Sequence, residues 1–193
     1  ASGIDFLEAA AGGYRNVGGI ESSGFEMSAD FAITDNLTVF TSLTLSESEY
    51  IETIGGTGTQ YDSLASAQAA IADTTNAESS LVAVKGNTVI GTPDTMAVIS
   101  LDWSKNNYFA GISTKYVDSR FIDIYNTAEV DDYLVSDLYI GGYISNIGQG
   151  MEELEVRLTV NNVLDEDYAS TIAPNAFWIG APRAVAINAR LTF

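Results

Sequence analysis

The run Gly180-Ala-Pro-Arg-Ala-Val-Ala-Ile-Asn-Ala-Arg-Leu-Thr-Phe193 decides how the rest of the chain is read. Side chains alternate along a strand with period two, so Val185, Ile187, Ala189, Leu191 and Phe193 share one face while Ala186, Asn188, Arg190 and Thr192 share the other. One face carries no polar group and the other holds Asn and Arg. Such a strand can border an ordinary core, and it can equally form a wall between lipid and a wet lumen.

Working outward, the same two-faced pattern recurs. Leu154, Val156, Leu158 and Val160 oppose Glu153, Glu155, Arg157, Thr159 and Asn161, and Leu134, Leu138, Ile140 and Ile144 oppose Asp137, Tyr139 and Tyr143. Tyr108, Ala110, Ile112, Thr114 and Tyr116 alternate after a short turn at Ser104 to Asn107, and before that turn Ala97, Ile99, Leu101 and Trp103 face away from Met96, Val98, Ser100 and Asp102. Phe25, Met27, Ala29, Phe31 and Ile33 lead through Thr34-Asp35-Asn36, residues that favour tight turns, into Leu37 to Ser46. About seven strands can thus be phased so that one face is free of charge. Tyr108 and Tyr116 lie eight residues apart, about 26 Å along a strand, which matches two aromatic girdles bordering a tilted membrane-crossing strand. The connections after Ile33, Trp103 and Ile144 are short, whereas those after Leu45, Tyr116 and Val160 are long and polar. A soluble β-sandwich or β-helix buries an apolar face as well, but neither explains this alternation of turn lengths.

Two segments lack the pattern. Residues 1 to 23, with paired glycines at 12–13 and 18–19, read as a loop or the ragged end of a strand. Residues 47 to about 92 form a long polar excursion. Within it Tyr61 to Ile71 is Ala-rich and sets Leu64, Ala67 and Ile71 at helical spacing, which fits a short amphipathic helix and equally a solvated loop with transient helix.

Composition removes several function classes. The 193 residues carry 26 acidic and 8 basic side chains, a net charge of −18, which argues against nucleic acid because phosphate binding needs clustered Lys and Arg. With no cysteine or histidine, thiolate metal sites and the commonest general base are excluded. No catalytic residues and no cofactor are expected, and the chain reads as a non-enzyme.

The residues also carry a family resemblance. Val-Asn-Asn-Val-Leu-Asp-Glu-Asp-Tyr at 160–168, followed by Gly-Ala-Pro-Arg at 180–183 and a last strand ending in Phe193, is similar to the C-terminal end of TonB-dependent outer-membrane receptors. Ser22 to Glu26, Thr34 to Phe40, Gly91 to Asp94 and Lys115 to Phe121 resemble further motifs of that family, although the arginine of its Arg-x-x-Gly-x-Glu pattern is missing. The resemblance implies an all-β fold of antiparallel transmembrane strands, with short periplasmic turns and long extracellular loops. It implies that residues 1–193 are the C-terminal third of a barrel of about 22 strands, without its plug domain and upstream strands. It further implies TonB-dependent import of a scarce bulky nutrient (glycan, siderophore, cobalamin or similar) across the Gram-negative outer membrane. The partners implied are outer-membrane lipid, the TonB system acting through a plug domain, the barrel-assembly machinery and a small-molecule or glycan ligand.

On that basis Tyr125, Tyr133, Phe177 and Trp178 are candidate ligand-stacking residues, with a girdle role open to Phe177 and Trp178. Glu129, Asp131 and Asp132 are candidate calcium ligands or a solvated acidic loop. Leu191 and Phe193 are the implied assembly signal. Arg157, Arg190, Glu155 and Lys115 point into the lumen. The rival reading is a self-contained barrel of about eight strands serving as adhesin, pore or outer-membrane enzyme.

Overall fold

The computed structural model describes residues 18–73, 75, 78–148 and 150–193, so most of the expected N-terminal loop, residues 1–17, lies outside the described residues. Seven long antiparallel strands form one sheet: β1 (Ile20–Thr34), β2 (Leu37–Tyr50), β6 (Thr95–Lys105), β7 (Tyr108–Val117), β10 (Tyr133–Gly148), β11 (Met151–Asn161) and β14 (Ala184–Thr192), in that spatial order. The intervening segments hold β3 (Thr53–Gly55), β4 (Gln60–Tyr61), α1 (Leu64–Ala72) and β5 (Leu81–Ala83), then β8 (Arg120–Phe121) and β9 (Glu129–Val130), then β12 (Ala169–Ala173) and β13 (Ala176–Ile179). Among the described residues β1 and β14 each pair on one side only, so the sheet is open.

Register turns the alternation of single strands into two continuous surfaces. Phe31, Val39, Leu101, Ile112, Leu138, Val160 and Val185 are successive cross-strand partners, one from each of the seven strands. The adjacent row on the opposite face runs Ala32, Thr38, Asp102, Gly111, Tyr139, Thr159 and Ala186. The two faces differ in packing. On β7 the apolar-face residue Ile112 is 38% exposed, whereas Phe109 and Val117 on the other face are 7% and 3% exposed. Phe25, Phe31, Ile33, Ile140, Ile144 and Ile187 all stand exposed on the apolar face. A contiguous apolar surface spanning seven strands has no stable partner in water, and a bilayer supplies one. Among the described residues no helix is long and apolar enough to cross a membrane.

The short connections lie at one end: Asp35 and Asn36, Asn106 and Asn107, and Gly150. Asn106 adopts φ 54° there, a left-handed conformation that Asn tolerates because its short side chain bonds locally. Two strands exceed the reach of the sequence pattern. β1 begins at Ile20 rather than Gly24, and β2 runs on to Tyr50 rather than stopping at Ser46. The ladder continues through Ile20–Tyr50 and Ser22–Ser48, whose hydroxyls lie 2.7 Å apart, while the face that is apolar below now carries Glu21, Glu47 and Glu49. Hydrogen bonding persists where the surroundings change from lipid to water, and the hydrophobic pattern therefore stops before the strand does.

The 47–92 excursion is folded. Its helix α1 covers the expected residues, with Ser63 and Ser66 forming a capping box at its start. Ala67 is fully buried with Leu81 and Val84, and Leu64 and Ile71 pack on that cluster. A second small cluster joins Tyr50, Ile54 and Ala83. Helical spacing predicts which side of α1 is buried, and the solvated-loop alternative is replaced by a packed subdomain.

Candidate functional site

The three long connections, residues 51–94, 118–132 and 162–183, gather at the other end of the sheet and bond to one another. The Asn126 side chain pairs with the backbone of Thr88 in both directions, accepting from Thr88 N at 2.8 Å and donating to Thr88 O at 3.1 Å. Asn87 Nδ2 donates to Ile124 O at 2.7 Å, Gly91 N to Phe121 O at 3.0 Å, and Asn175 N to Ile122 O at 2.7 Å. The middle loop is therefore tied to both neighbours.

Two buried carboxylates shape these loops. Asp123 accepts from Tyr125 N at 2.7 Å, Thr127 N at 3.1 Å and Ala128 N at 2.6 Å. Burial works against its charge, yet these backbone donors together hold the carboxyl below the ordinary aspartate range. Glu78 accepts from Thr57 Oγ1 at 2.7 Å and from Thr57 N. Burial opposes its charge too, and the donors of Thr57, Gly56 and Ser80 outweigh it and lower its pKa. Gly55 and Gly56 make room for this carboxylate, since a Cβ on Gly55 would lie 1.8 Å from Glu78 Oε2.

The Val160–Tyr168 motif proves to be a staple for the third loop. Asn162, 2% exposed with φ 49°, accepts from Glu166 N at 2.8 Å and donates Nδ2 to Glu166 O at 2.9 Å and Ala181 O at 3.1 Å. Asp137 Oδ1 accepts from Asn162 N at 2.8 Å, and Asp165 binds Arg183 through both its backbone N and its guanidinium. These contacts clamp the start of the loop to its end. Beyond the clamp the Tyr168 ring stacks on Tyr133 at 4.5 Å, the Arg120 guanidinium sits 5.5 Å from the centre of the Tyr133 ring, and Arg120 donates to Ala169 O. Among the described residues no carboxylate pairs with the buried Arg120, which is compensated by the ring face and a carbonyl.

Further down the inner face a second aromatic cluster lines the wall. The Arg157 guanidinium lies between Phe109 and Tyr139, 4.9 and 4.8 Å from their ring centres, and its Nε is 3.4 Å from Glu155. The Tyr139 hydroxyl donates to Asp102, two strands away, by lying across Gly111. A Cβ on Gly111 would stand 2.5 Å from that ring, and one on Gly141 would stand 2.4 Å from Phe109. Both glycines are spaces that neighbouring strands fill.

The structure separates the residues that sequence reasoning grouped. Phe177 and Trp178 are exposed on β13, at 49% and 58%, but they are consecutive strand residues and point to opposite sides of the β12–β13 hairpin. Tyr125 is 43% exposed in the turn held by Asp123. Tyr133 is 7% exposed, and both Arg120 and Tyr168 pack against its ring. Glu129 pairs with Phe121 in the β8–β9 ladder, and among the described residues no group of three or more acidic side chains converges on a cation position. Leu191 lies opposite Leu154 on the apolar face, and Phe193 is 79% exposed beyond the end of β14. Asn162, Arg120, Tyr168, Asp123 and Glu78 have structural roles that the alternation of faces does not reveal. The first three stand within quoted motifs, whereas nothing local in the sequence marks Asp123 or Glu78.

Comparison with known proteins places this geometry. The family model described as TonB dependent receptor-like, beta-barrel matches residues 2–163. The ferrioxamine receptor of Yersinia enterocolitica is 23% identical over 176 residues, covering 89% of this chain and 21% of the relative. Among solved structures, the siderophore receptor PiuA of Acinetobacter baumannii superposes with a TM-score of 0.65 at 18% identity, over 88% of this chain and 21% of that one. The ferric yersiniabactin uptake receptor FyuA of Yersinia pestis gives a TM-score of 0.63 at 16% identity, over 92% and 24%. The chain thus spans about a fifth of the length of the curated relative it matches. At these identities the structural likeness establishes the fold.

Proposed function

This chain belongs to the TonB-dependent receptor-like β-barrel family, whose members are outer-membrane proteins, and we propose that it supplies wall strands and outer loops to a receptor importing a bulky ferric chelate. The observation that carries the reading is the bonded layer of three long loops above a polar, aromatic-lined inner wall. A layer of this kind can contact a ligand that approaches from outside and hand it on to the lumen. The choice of an iron chelate over a glycan or cobalamin draws on relatives named as receptors for ferrioxamine, siderophores and ferric yersiniabactin. The role is transport rather than catalysis. Energy coupling passes through a plug domain and the TonB system, with residues 1–193 as the C-terminal part of the barrel.

Within this reading Tyr125 and Trp178 are the proposed ligand-facing aromatics, because both expose their rings among the loops. Leu191 and Phe193 are the proposed assembly signal, and deleting Phe193 is expected to lower the amount of heat-modifiable receptor in outer-membrane fractions. The self-contained small barrel finds no support, since no pair among the described strands joins β1 to β14. The test of function is uptake of iron-55 presented as a ferric trihydroxamate to cells whose only outer-membrane iron receptor is the full-length protein. Uptake that disappears when TonB is removed supports the proposal, and uptake independent of TonB refutes it.

A further inference from the structure

We propose that the loop end of this receptor selects ligands of positive charge, an inference that deepens the import reading and rests on it. The charge of the chain is unevenly placed. The loops 51–94, 118–132 and 162–183 hold five, five and three acidic residues against one basic residue each, which gives −10 of the total −18. Glu21, Glu47 and Glu49 at the loop-end tips of β1 and β2 add three more negative charges. By contrast the short turns at the opposite end contain one acid, Asp35.

Among the described residues the three cations of the loop layer do not form an anion site. Arg120 is buried against Tyr133 and Ala169 O, and Arg183 is paired with Asp165 at 3.2 Å. Lys85 and Arg183 are both exposed, but Arg183 is held by Asp165, and Lys85 has no second cation beside it in sequence. An anionic chelate arriving from outside therefore meets no cluster of positive charge among the described residues. The acids are dispersed as well: no three of them converge to chelate a metal ion among the described residues. Dispersed charge of one sign acts as a field rather than as a chelating site. Such a field steers a cation toward the layer and raises its association rate by about 10- to 1,000-fold, falling steeply with salt. A second feature has the same preference, since the exposed rings of Tyr125 and Trp178 offer π faces that attract cations.

The test uses the full-length receptor in outer-membrane vesicles and three ferric trihydroxamates with a common core. That core is neutral, because three singly charged hydroxamates balance Fe³⁺, so the tail sets the charge. A free amine, an N-acetyl and an N-succinyl tail give positive, neutral and negative ligands. Association rates are read by stopped-flow fluorescence at low and high ionic strength. The positive ligand is expected to associate at least about tenfold faster than the negative one at low salt, with the gap closing as salt rises. Neutralising the exposed acids together, as E129Q/D131N/D132N, is expected to narrow the gap. Equal rates, or a faster negative ligand, would overturn the inference while leaving import of ferric chelates intact. Failure of all three ligands to bind would remove the import reading, and this inference with it.

Discussion

Replacing Leu158 by arginine tests the facing of the whole sheet. Leu158 lies between Ile140 and Ile187 on the apolar face, and both of those neighbours are more than half exposed. The nearest polar backbone staple along its own strand, Asn162, is four residues on, about 13 Å away at roughly 3.3 Å per residue. An arginine side chain cannot span that distance, so its charge stays in the hydrocarbon apart from what partial snorkelling recovers. Arginine near the midplane of a barrel costs about 2 to 4 kcal/mol. At about 1.4 kcal/mol per decade this shifts the folding equilibrium by about 30- to 700-fold. The control is Thr159→Arg, one residue along, whose partners Tyr139 and Ala186 lie on the inner face. It is expected to cost less than about 1 kcal/mol, in line with a charge that stays in water. Urea titrations of the full-length receptor refolded into bilayers, scored by heat-modifiable mobility, measure both. Equal losses for the two variants would refute the assignment of faces.

Three further outcomes are expected. Asn162→Ala removes three part-buried hydrogen bonds to the backbone of Glu166 and Ala181; a local cost of about 1 to 3 kcal/mol should appear as faster proteolysis within residues 163–183 on intact cells. Gly111→Ala places a methyl 2.5 Å from the Tyr139 ring, which should displace the ring from Asp102 and Arg157 and cost about 1 to 3 kcal/mol; a double-mutant cycle with Tyr139→Ala should show most of that cost vanishing. Glu78 and Asp123 have lowered pKa values in the fold, so each stabilises the loops above the ordinary carboxylate range of about 4 and loses that contribution as pH falls through its lower native value. Amide exchange in residues 55–59 and 123–128 should accelerate in that acid window, and Asp123→Asn should flatten the response of the second segment.

The loop layer explains why these effects are local. The staple at Asn162, the turn around Asp123 and the anchor at Glu78 each hold a different loop, yet Asn87, Asn126 and Asn175 join the loops at their edges. Loosening one of them should be felt by the next before it reaches the sheet, whose ladders lie below and are lengthened by the extra pairs of β1 and β2. Stability in this part of the molecule is thus graded, with the strands at the firm end and the loop tips at the yielding end.

The strands, their phase and the positions of their turns were legible in the amino-acid order, because alternation with period two is a property of neighbours in the chain. Leu154 to Val160 announces its own two faces, and Leu64, Ala67 and Ile71 announce the buried side of α1. The family resemblance was legible for the same local reason, in the run from Val160 to Tyr168. Contacts that cross between strands or loops were not legible, since register and loop docking depend on partners far away in sequence. Nothing near Gly111 says that Tyr139 lies over it, nothing near Tyr133 says that Tyr168 and Arg120 cover it, and nothing near Asn162 says that Ala181 completes its hydrogen bonds. The reach of β1 and β2 beyond their apolar stretches belongs with these, because backbone pairing does not end where lipid ends. Sequence thus determined which face of each strand meets lipid, and the tertiary structure decided which side chains on the other face remain free for a ligand.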